Sequence, residues 1–351
     1  MKATTAGYNR AQPQDGDDAP SEGRTKGKKR FVLLKRILTL GFFILVAVLF
    51  YMLAKKLDWQ EVMTTLREYR PQTLLLAAAV TLLSYLVYSA FDLLGRLYSG
   101  HHLPARQILP LTFVCYAFNL NLGSWVGSIA FRYRLYSRLG LDNGQITKVL
   151  SFSLLTNWLG YILLAGVVFA MRLVELPEGW KIGTDTLQLI GFGLVAAGVG
   201  YLLACRFSKR RTWTLRGKDI SLPSLRLALA QAALGAANWA LMALVVAVLL
   251  PKVGYPTILG VLLISSIAGA ITHIPAGLGV IEAIFIAMLS HQVSKGGILA
   301  ALIGYRFIYF LLPLVIATVI YLVLEARAKK LRQKNIETKK TVAERDTSQN
   351  A

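Results

Sequence analysis

The chain has 351 residues, of which 55% are hydrophobic and only 16% are charged, and its formal net charge is +21. Soluble domains carry about a quarter charged residues, interleaved with apolar ones, whereas here the apolar residues form long blocks. The basic residues flank these blocks, so their excess does not indicate a nucleic-acid-binding globule. The composition predicts an all-α integral membrane protein.

Both ends of the chain are polar and basic. Residues 1–36 contain nine Lys or Arg among Pro, Gly, Ser and Asp, which predicts a disordered tail. Residues 325–351 contain eight Lys or Arg and form a second basic tail. A polytopic membrane domain is predicted between them, at 37–324. Because basic segments stay on the cytoplasmic side, we expect both termini in the cytoplasm.

Six apolar blocks are long enough to cross a hydrocarbon core of about 30 Å, which takes about 20 helical residues. They lie at about 37–54, 72–94, 149–171, 187–205, 225–250 and 298–324.

Two further apolar regions, 108–131 and 257–290, are interrupted in the middle. The first contains Asn119 and Asn121 at its break, and the second contains a Pro and Gly cluster from Pro275 to Gly279. Such residues end helices, and the freed backbone groups must be buried in protein or face a watery cavity. Basic residues flank the first region on both sides, which favours a re-entrant hairpin that enters from the cytoplasm and returns to it. The second region is predicted to be a re-entrant hairpin from the opposite side.

With this arrangement, 30 of the 39 Lys and Arg residues lie on the cytoplasmic side. Each half of the chain then reads span, span, hairpin, span, and the two halves have opposite orientations. This is the inverted-repeat plan of many transporters, whose working site lies at the repeat interface.

Three ionisable residues lie inside apolar blocks, where charges are costly and often functional: Asp92, Glu282 and Arg306. Glu282 follows the second break, in the first turn of a half-helix, where the helix N-terminus stabilises a carboxylate. A role in headgroup or proton handling and a structural pair with Arg306 both remain open. For Asp92, structural pairing is favoured.

The breaks themselves are candidate binding sites, because half-helix N-termini attract anions. Gly277 and Gly279 would let a bulky group approach the backbone. Arg132 and Arg134 follow the first hairpin and suit phosphate recognition. The alternatives are a kinked packing turn at the breaks and charges that only set topology. Asn157 and Asn238, each followed by Trp, are expected to hold helices together.

Nothing in the sequence indicates catalysis, a metal site or a cofactor. The two cysteines and four histidines form no CxxC or HExxH pattern, and no Walker A motif is present. We therefore expect a protein that is not an enzyme, with no metal and no cofactor, in which any energy coupling would come from an ion gradient.

Three stretches carry a family resemblance: residues 116–127, residues 132–140 and the run from Ser265 to Glu282, with its Pro-x-Gly-x-Gly-x-x-Glu element. They resemble the transmembrane-region family of lysylphosphatidylglycerol synthases, in particular its stand-alone branch, over about residues 35–330. The resemblance implies a bacterial inner-membrane protein with re-entrant segments and flippase-like movement of phospholipid. The soluble aminoacyl-transfer domain of the full-length synthases is not expected here.

The leading hypothesis is a translocase for anionic phospholipid, of flippase or scramblase type, in which the two hairpins meet near the midplane. The alternative is a non-transporting accessory protein of envelope lipid metabolism. The expected partners are phospholipids and no nucleic acid, with a second copy of the chain or a lipid-synthesis enzyme left open. The candidate substrate-binding residues are Asn119, Asn121, Arg132, Arg134, Pro275, Gly277, Gly279, Glu282 and Arg306.

Overall fold

The structure, a computed structural model, describes residues 59–174, 176, 183–209, 211–215, 218–272, 274 and 277–326. The predictions for the N-terminal tail, for the first apolar block at 37–54, for Pro275 and for residues 327–351 lie outside the described residues.

The described residues form a helical protein with one short hairpin of strands. The helices are α1 (Trp59–Glu68), α2 (Pro71–Ser99), α3 (Ala105–Leu122), α4 (Phe131–Arg138), α5 (Asn143–Ala170), α6 (Thr184–Phe207), α7 (Leu225–Leu249), α8 (Tyr255–Thr272), α9 (Val280–Leu289) and α10 (Lys295–Ala326). Two segments are π-helical, Ser124–Ala130 before α4 and Arg306–Leu311 within α10. The strands are β1 (Thr212–Leu215) and β2 (Lys218–Ser221).

Six of the described helices are long and apolar enough to cross a membrane: α2, α5, α6, α7, α8 and α10. Five of them coincide with predicted spans, which confirms the predicted multi-pass helical membrane protein. The sixth, α8, begins at Tyr255 and covers the first half of the region 257–290, where we predicted an interrupted segment. Its 18 residues have a mean hydropathy of 1.7 and are long enough to span by themselves.

A short strand hairpin lies in the loop between α6 and α7 of this helical fold. β1 pairs with β2 in antiparallel register, with Thr212 opposite Ser221 and Leu215 opposite Lys218. Thr and Trp in this segment favour extended backbone. The Tyr98 hydroxyl donates to the Ser221 carbonyl at 2.7 Å, which ties the hairpin to the end of α2.

Several of the spans begin at a proline or at a polar residue that caps the helix. Pro71 starts α2, where its missing N–H costs nothing and its fixed φ suits the helix. The Asp142 carboxylate accepts from the backbone N–H of Gln145 at the start of α5. Ser224 and Ser294 cap α7 and α10 in the same way. These short-range signals set the helix starts without help from the membrane.

Helix is interrupted at both predicted breaks. Gly123 has a φ of 82°, and after it the chain turns back so that Gly127 lies against the backbone of Asn119. Between α8 and α9, Gly277 and Gly279 have φ values of 58° and 80°, a region that non-glycine residues rarely adopt. Re-entry into the membrane and the inverted repeat remain predictions.

The spans pack around α2, which contacts α3, α5 and α7, while α5 also packs against α6 and α7. Gly160 of α5 and Gly235 of α7 let these two backbones touch. The outward faces are apolar: Leu75 is 70% exposed and Leu189 is 72% exposed. Such surfaces are unfavourable in water and suit contact with lipid chains.

Candidate functional site

Both helix breaks contact the same turn of α10, the π-helical segment Arg306–Leu311. From the first break, the side-chain amide of Asn121 donates to the Phe310 carbonyl at 3.2 Å. From the second break, Glu282 accepts from Arg306 Nε at 2.6 Å. Arg306 and Phe310 are four residues apart, so the two contacts lie about one turn from each other. π-Helical segments are frequent at functional sites.

Pro313 explains why a backbone carbonyl in this turn is available to a side chain of another helix. Proline has no N–H, so the carbonyl of Tyr309 loses the α-helical donor that residue 313 would supply. The Tyr309 carbonyl instead accepts from the Tyr85 hydroxyl at 3.0 Å. The next carbonyl, of Phe310, accepts from Asn121. The helix is thereby fastened to α2 and to the first break through its backbone.

Glu282 satisfies two positive groups at once. One carboxylate oxygen binds Arg306 Nε, and the other accepts from the Gly279 backbone N–H at 2.8 Å, at the start of α9. Arg306 Nη2 also donates to the Gly277 carbonyl at 3.4 Å. The carboxylate therefore neutralises both the guanidinium and the positive end of α9.

A second group of polar side chains lies beside this turn, and we call it the tyrosine cluster: Ser84, Tyr116, Asn238 and Tyr309. The Tyr309 hydroxyl bonds Ser84 at 2.7 Å and Tyr116 at 2.9 Å. Asn238 accepts from Ser84 at 2.9 Å and donates to Tyr116 at 3.3 Å. All four side chains are buried, and they join α2, α3, α7 and α10. The prediction that Asn238 holds helices together is confirmed by these bonds.

A third group surrounds Asp92 and is called the Asp92 cluster. Arg132 binds both carboxylate oxygens of Asp92, at 3.0 and 3.1 Å, and neither side chain is exposed. Thr112 and Tyr136 donate to the same carboxylate at 3.0 and 2.9 Å. The remaining Arg132 donors bind side chains of the π-helical segment and of α5, namely Ser128 at 2.5 Å and Ser153 at 3.1 Å.

At the far end of α10, two exposed arginines of α4 bind one carboxylate. Arg138 contacts both carboxylate oxygens of Glu325, and Arg134 Nη2 lies 3.4 Å from Glu325 Oε1. These hydrogen bonds to Glu325 raise the pKa of Arg138 above its usual range. Arg134 also lies over the ring of Tyr321, one turn before Glu325, at 5.7 Å.

The structure thus brings some of the predicted site residues together and separates others. Asn121, Gly277, Glu282 and Arg306 meet on the π-helical turn of α10, with Gly279 beside them. Asn119 lies one half-turn from Asn121, and its buried Oδ1 has no hydrogen-bond partner among the residues that the structure describes. Arg132 belongs to the Asp92 cluster and faces inwards, whereas Arg134 lies at the exposed end of α10.

Sequence reasoning missed the tyrosine cluster and Glu325. Tyrosine and serine in an apolar block give no signal of their own, because both occur in ordinary helix packing. Pro313, inside a predicted span, was the one sign that carbonyls would be freed nearby. Glu325 was assigned to the basic C-terminal segment, and its contacts with Arg134 and Arg138 were not predicted.

An apolar surface lies next to the π-helical turn. Phe307 and Leu311, both in this turn, are 58% and 50% exposed. Arg306 therefore lies between a polar interior and a lipid-facing surface. This geometry suits a ligand with an anionic head and apolar chains.

Comparison with known proteins identifies the family of the chain. The family model "Lysylphosphatidylglycerol synthase TM region" matches residues 38–317. An inner membrane protein of Escherichia coli, YbhN, is 50% identical over 313 residues, which cover 89% of this chain and 98% of that protein. An uncharacterized protein of Synechocystis is 28% identical over 260 residues, 73% of this chain and 80% of its own length. The resemblance found from the sequence is confirmed: the chain belongs to the lysylphosphatidylglycerol synthase TM region family and is a multi-pass inner membrane protein.

Proposed function

We propose that this protein moves anionic phospholipid between the two leaflets of the inner membrane, as a flippase or a scramblase. The observation that carries the proposal is the convergence of both helix breaks on the turn that holds Arg306 and Phe310. The family takes its name from the synthases of lysylphosphatidylglycerol, which is consistent with a role in lipid metabolism. The proposed activity is transport, with no catalytic step and no cofactor.

The headgroup would bind where Glu282 now binds. Guanidinium groups recognise carboxylate and phosphate with the same forked geometry. The N-terminus of α9 favours any anion that lies at Gly279. A lipid phosphate that displaced the Glu282 carboxylate would gain both interactions.

The acyl chains would stay outside the protein. The exposed apolar residues beside the turn, among them Phe307 and Leu311, give the chains a surface to follow. Only the polar head then needs a protein environment during the crossing. A route of this kind avoids moving the apolar chains through the buried interior.

The membrane topology forms part of the proposal. We propose that both interrupted regions are re-entrant hairpins, that the two halves of the chain are inverted repeats, and that both termini are cytoplasmic. The charge distribution supports this arrangement, since 30 of the 39 Lys and Arg residues fall on one side. Working sites at the interface of inverted repeats are common in transporters.

The test is a lipid-movement assay with purified protein in liposomes. The vesicles carry a tail-labelled anionic phospholipid, and a membrane-impermeant quencher reports the label in the outer leaflet. We expect wild type to expose inner-leaflet label faster than empty vesicles. Glu282→Gln should lose this activity, because no carboxylate is then left to displace the headgroup from Arg306 and release it. Asp185→Asn is the matched control, because it neutralises a carboxylate of an exposed ion pair, with Arg172, far from the breaks in the sequence.

A second candidate, a non-transporting accessory protein of envelope lipid metabolism, is favoured by one observation. Within the described residues, Asp92 and Glu282 are each neutralised by an arginine, as in a static scaffold. If wild type and Glu282→Gln both match empty vesicles for several lipids and with an imposed pH gradient, the transport proposal fails. A stoichiometric partner recovered from native membranes, such as an enzyme of lipid synthesis or a second copy of the chain, would then support the accessory role.

A further inference from the structure

Exposed ion pairs join α4 to the C-terminal end of α10. In them two guanidinium groups bind one anionic group, which is how arginines also bind a phosphate. Arg134 and Arg138 are four residues apart on a helix and therefore share one face. Arg132, two residues before Arg134, is buried on another face in the Asp92 cluster. The two outer arginines converge on one acceptor, Glu325.

Glu325 is held weakly enough to exchange. The side chains of Arg134 and Arg138 are 53% and 36% exposed, and surface ion pairs of this kind contribute little to stability. Carboxylate and phosphate compete for the same guanidinium forks, and phosphate offers more acceptor oxygens. A phosphate that reached the two arginines could therefore replace Glu325 at small cost.

Aromatic rings lie beside Arg134, which is positioned over the ring of Tyr321. They provide an apolar surface for the glycerol backbone and the first acyl carbons of a lipid. Phe131 stacks on Phe118 with ring centroids 4.3 Å apart and meets the Tyr321 ring edge-on at 5.4 Å. The next residue of α10, Leu322, is 59% exposed. A cationic rim above an apolar, lipid-facing shelf matches a phospholipid better than it matches a free anion.

We propose that Arg134 and Arg138 form an entry site for the headgroup of an anionic phospholipid, and that Glu325 is a built-in latch that this headgroup displaces. Displacement separates the end of α10 from α4, so lipid arrival loosens the helix that also carries Arg306. The inference rests on the proposed function in taking a phospholipid as the ligand.

The test measures the latch directly. Spin labels on cysteines introduced at Ser137 of α4 and Ala326 of α10, both exposed, report the distance between the two elements in nanodiscs. The parent chain, whose Cys115 and Cys205 are buried, gives the background labelling. Nanodiscs of phosphatidylcholine are compared with nanodiscs that also contain phosphatidylglycerol, and native mass spectrometry measures the ratio of the two lipids retained by the protein.

We expect phosphatidylglycerol to lengthen the distance in the wild-type background. Glu325→Gln should show the long distance in phosphatidylcholine alone and should retain more phosphatidylglycerol. Arg134→Gln/Arg138→Gln should also show the long distance but lower the retained ratio by about tenfold, equivalent to about 1.4 kcal/mol. Arg172→Gln, which removes a comparably exposed arginine from another ion pair, should behave like wild type.

Two results would overturn the inference. One is an unchanged distance in both lipids together with a retained ratio that Arg134→Gln/Arg138→Gln does not alter. The other is opening by inorganic phosphate in phosphatidylcholine nanodiscs, which would assign the site to a free anion. Neither measurement depends on lipid movement. If the distance lengthens with phosphatidylglycerol but the liposome assay shows no movement, the translocase proposal fails and the entry site is still supported.

Discussion

Arg132 binds both carboxylate oxygens of Asp92, and neither side chain has any exposed surface. The pair joins α4 to α2, and its remaining hydrogen bonds reach α3, α5 and the π-helical segment before α4. A charge in such a place is tolerated only when paired and hydrogen-bonded. The pair therefore holds the first helix break against the spans, and it makes the break sensitive to the loss of either partner.

We expect Arg132→Gln to destabilise the protein by about 3–5 kcal/mol, because it leaves the Asp92 carboxylate buried without a counter-charge. The free energy of unfolding, from SDS titration in mixed micelles, measures this loss. Arg172→Gln is the matched control and should change stability by less than about 1 kcal/mol, since its ion pair is exposed. A cost below that of the control would show that Asp92 does not need the arginine.

The double variant Asp92→Asn/Arg132→Gln should be less destabilised than the sum of its two single variants. Each single change leaves one buried charge unpaired, whereas the double change removes both charges. Additive costs would show that the two side chains are stabilised independently by Thr112, Tyr136, Ser128 and Ser153.

Tyr309→Phe tests the tyrosine cluster. The change removes the hydroxyl that bonds Ser84 and Tyr116, and we expect a loss of about 1–3 kcal/mol in the free energy of unfolding. Tyr116→Phe removes the partner of one of these bonds. The double variant should therefore lose less free energy of unfolding than the sum of the two single variants. Full additivity would contradict the hydrogen bond between the two hydroxyls.

The positions of the spans and of both breaks could be predicted from the sequence, because they depend on local properties. The length of an apolar block predicts a membrane span. Interruptions of apolar helix are predicted by polar or glycine residues within a block, here Asn119, Asn121, Gly277 and Gly279. The partners of Glu325 could not be predicted in the same way, because this residue belongs to a basic segment that follows the last apolar residues. Its partners, Arg134 and Arg138, lie 191 and 187 residues earlier in the chain.

The candidate site was predicted in part for a similar reason. Glu282 and Arg306 stand out as charges in apolar blocks, and their pairing was one of two open alternatives. Arg132 and Arg134 carry the same charge two residues apart, yet one is buried and the other exposed. Which face of α4 points inwards is decided by Asp92, and the sequence alone does not place that residue beside α4.

Glu282 is expected to have a structural role and a transport role that two substitutions can separate. Glu282→Gln keeps an acceptor for the Gly279 N–H at the start of α9 but loses the charge that pairs with Arg306. Glu282→Leu loses both, so it should be less stable than Glu282→Gln by about 0.5–2 kcal/mol, the range for loss of an N-terminal cap. Both variants should lose lipid movement in liposomes. Wild-type movement by a folded Glu282→Gln protein would remove the carboxylate from the transport site.

The contact between α5 and α7 gives the last prediction. A Cβ atom on Gly160 would overlap the backbone of Gly235, so Gly160→Ala must push the two helices apart. Their backbones approach closely because both positions lack a side chain, as in other membrane helix pairs. We expect a loss of more than about 1 kcal/mol in the free energy of unfolding, the lower end of the cost of overpacking a core. Gly193→Ala in α6 is the matched control, because nothing lies near its Cβ position and alanine is favoured in helices by about 0.5–1 kcal/mol. If both variants were equally stable, α5 and α7 would have to be further apart than the structure places them, and Trp239, whose indole donates to the Asn157 carbonyl across the same contact, would lose its partner.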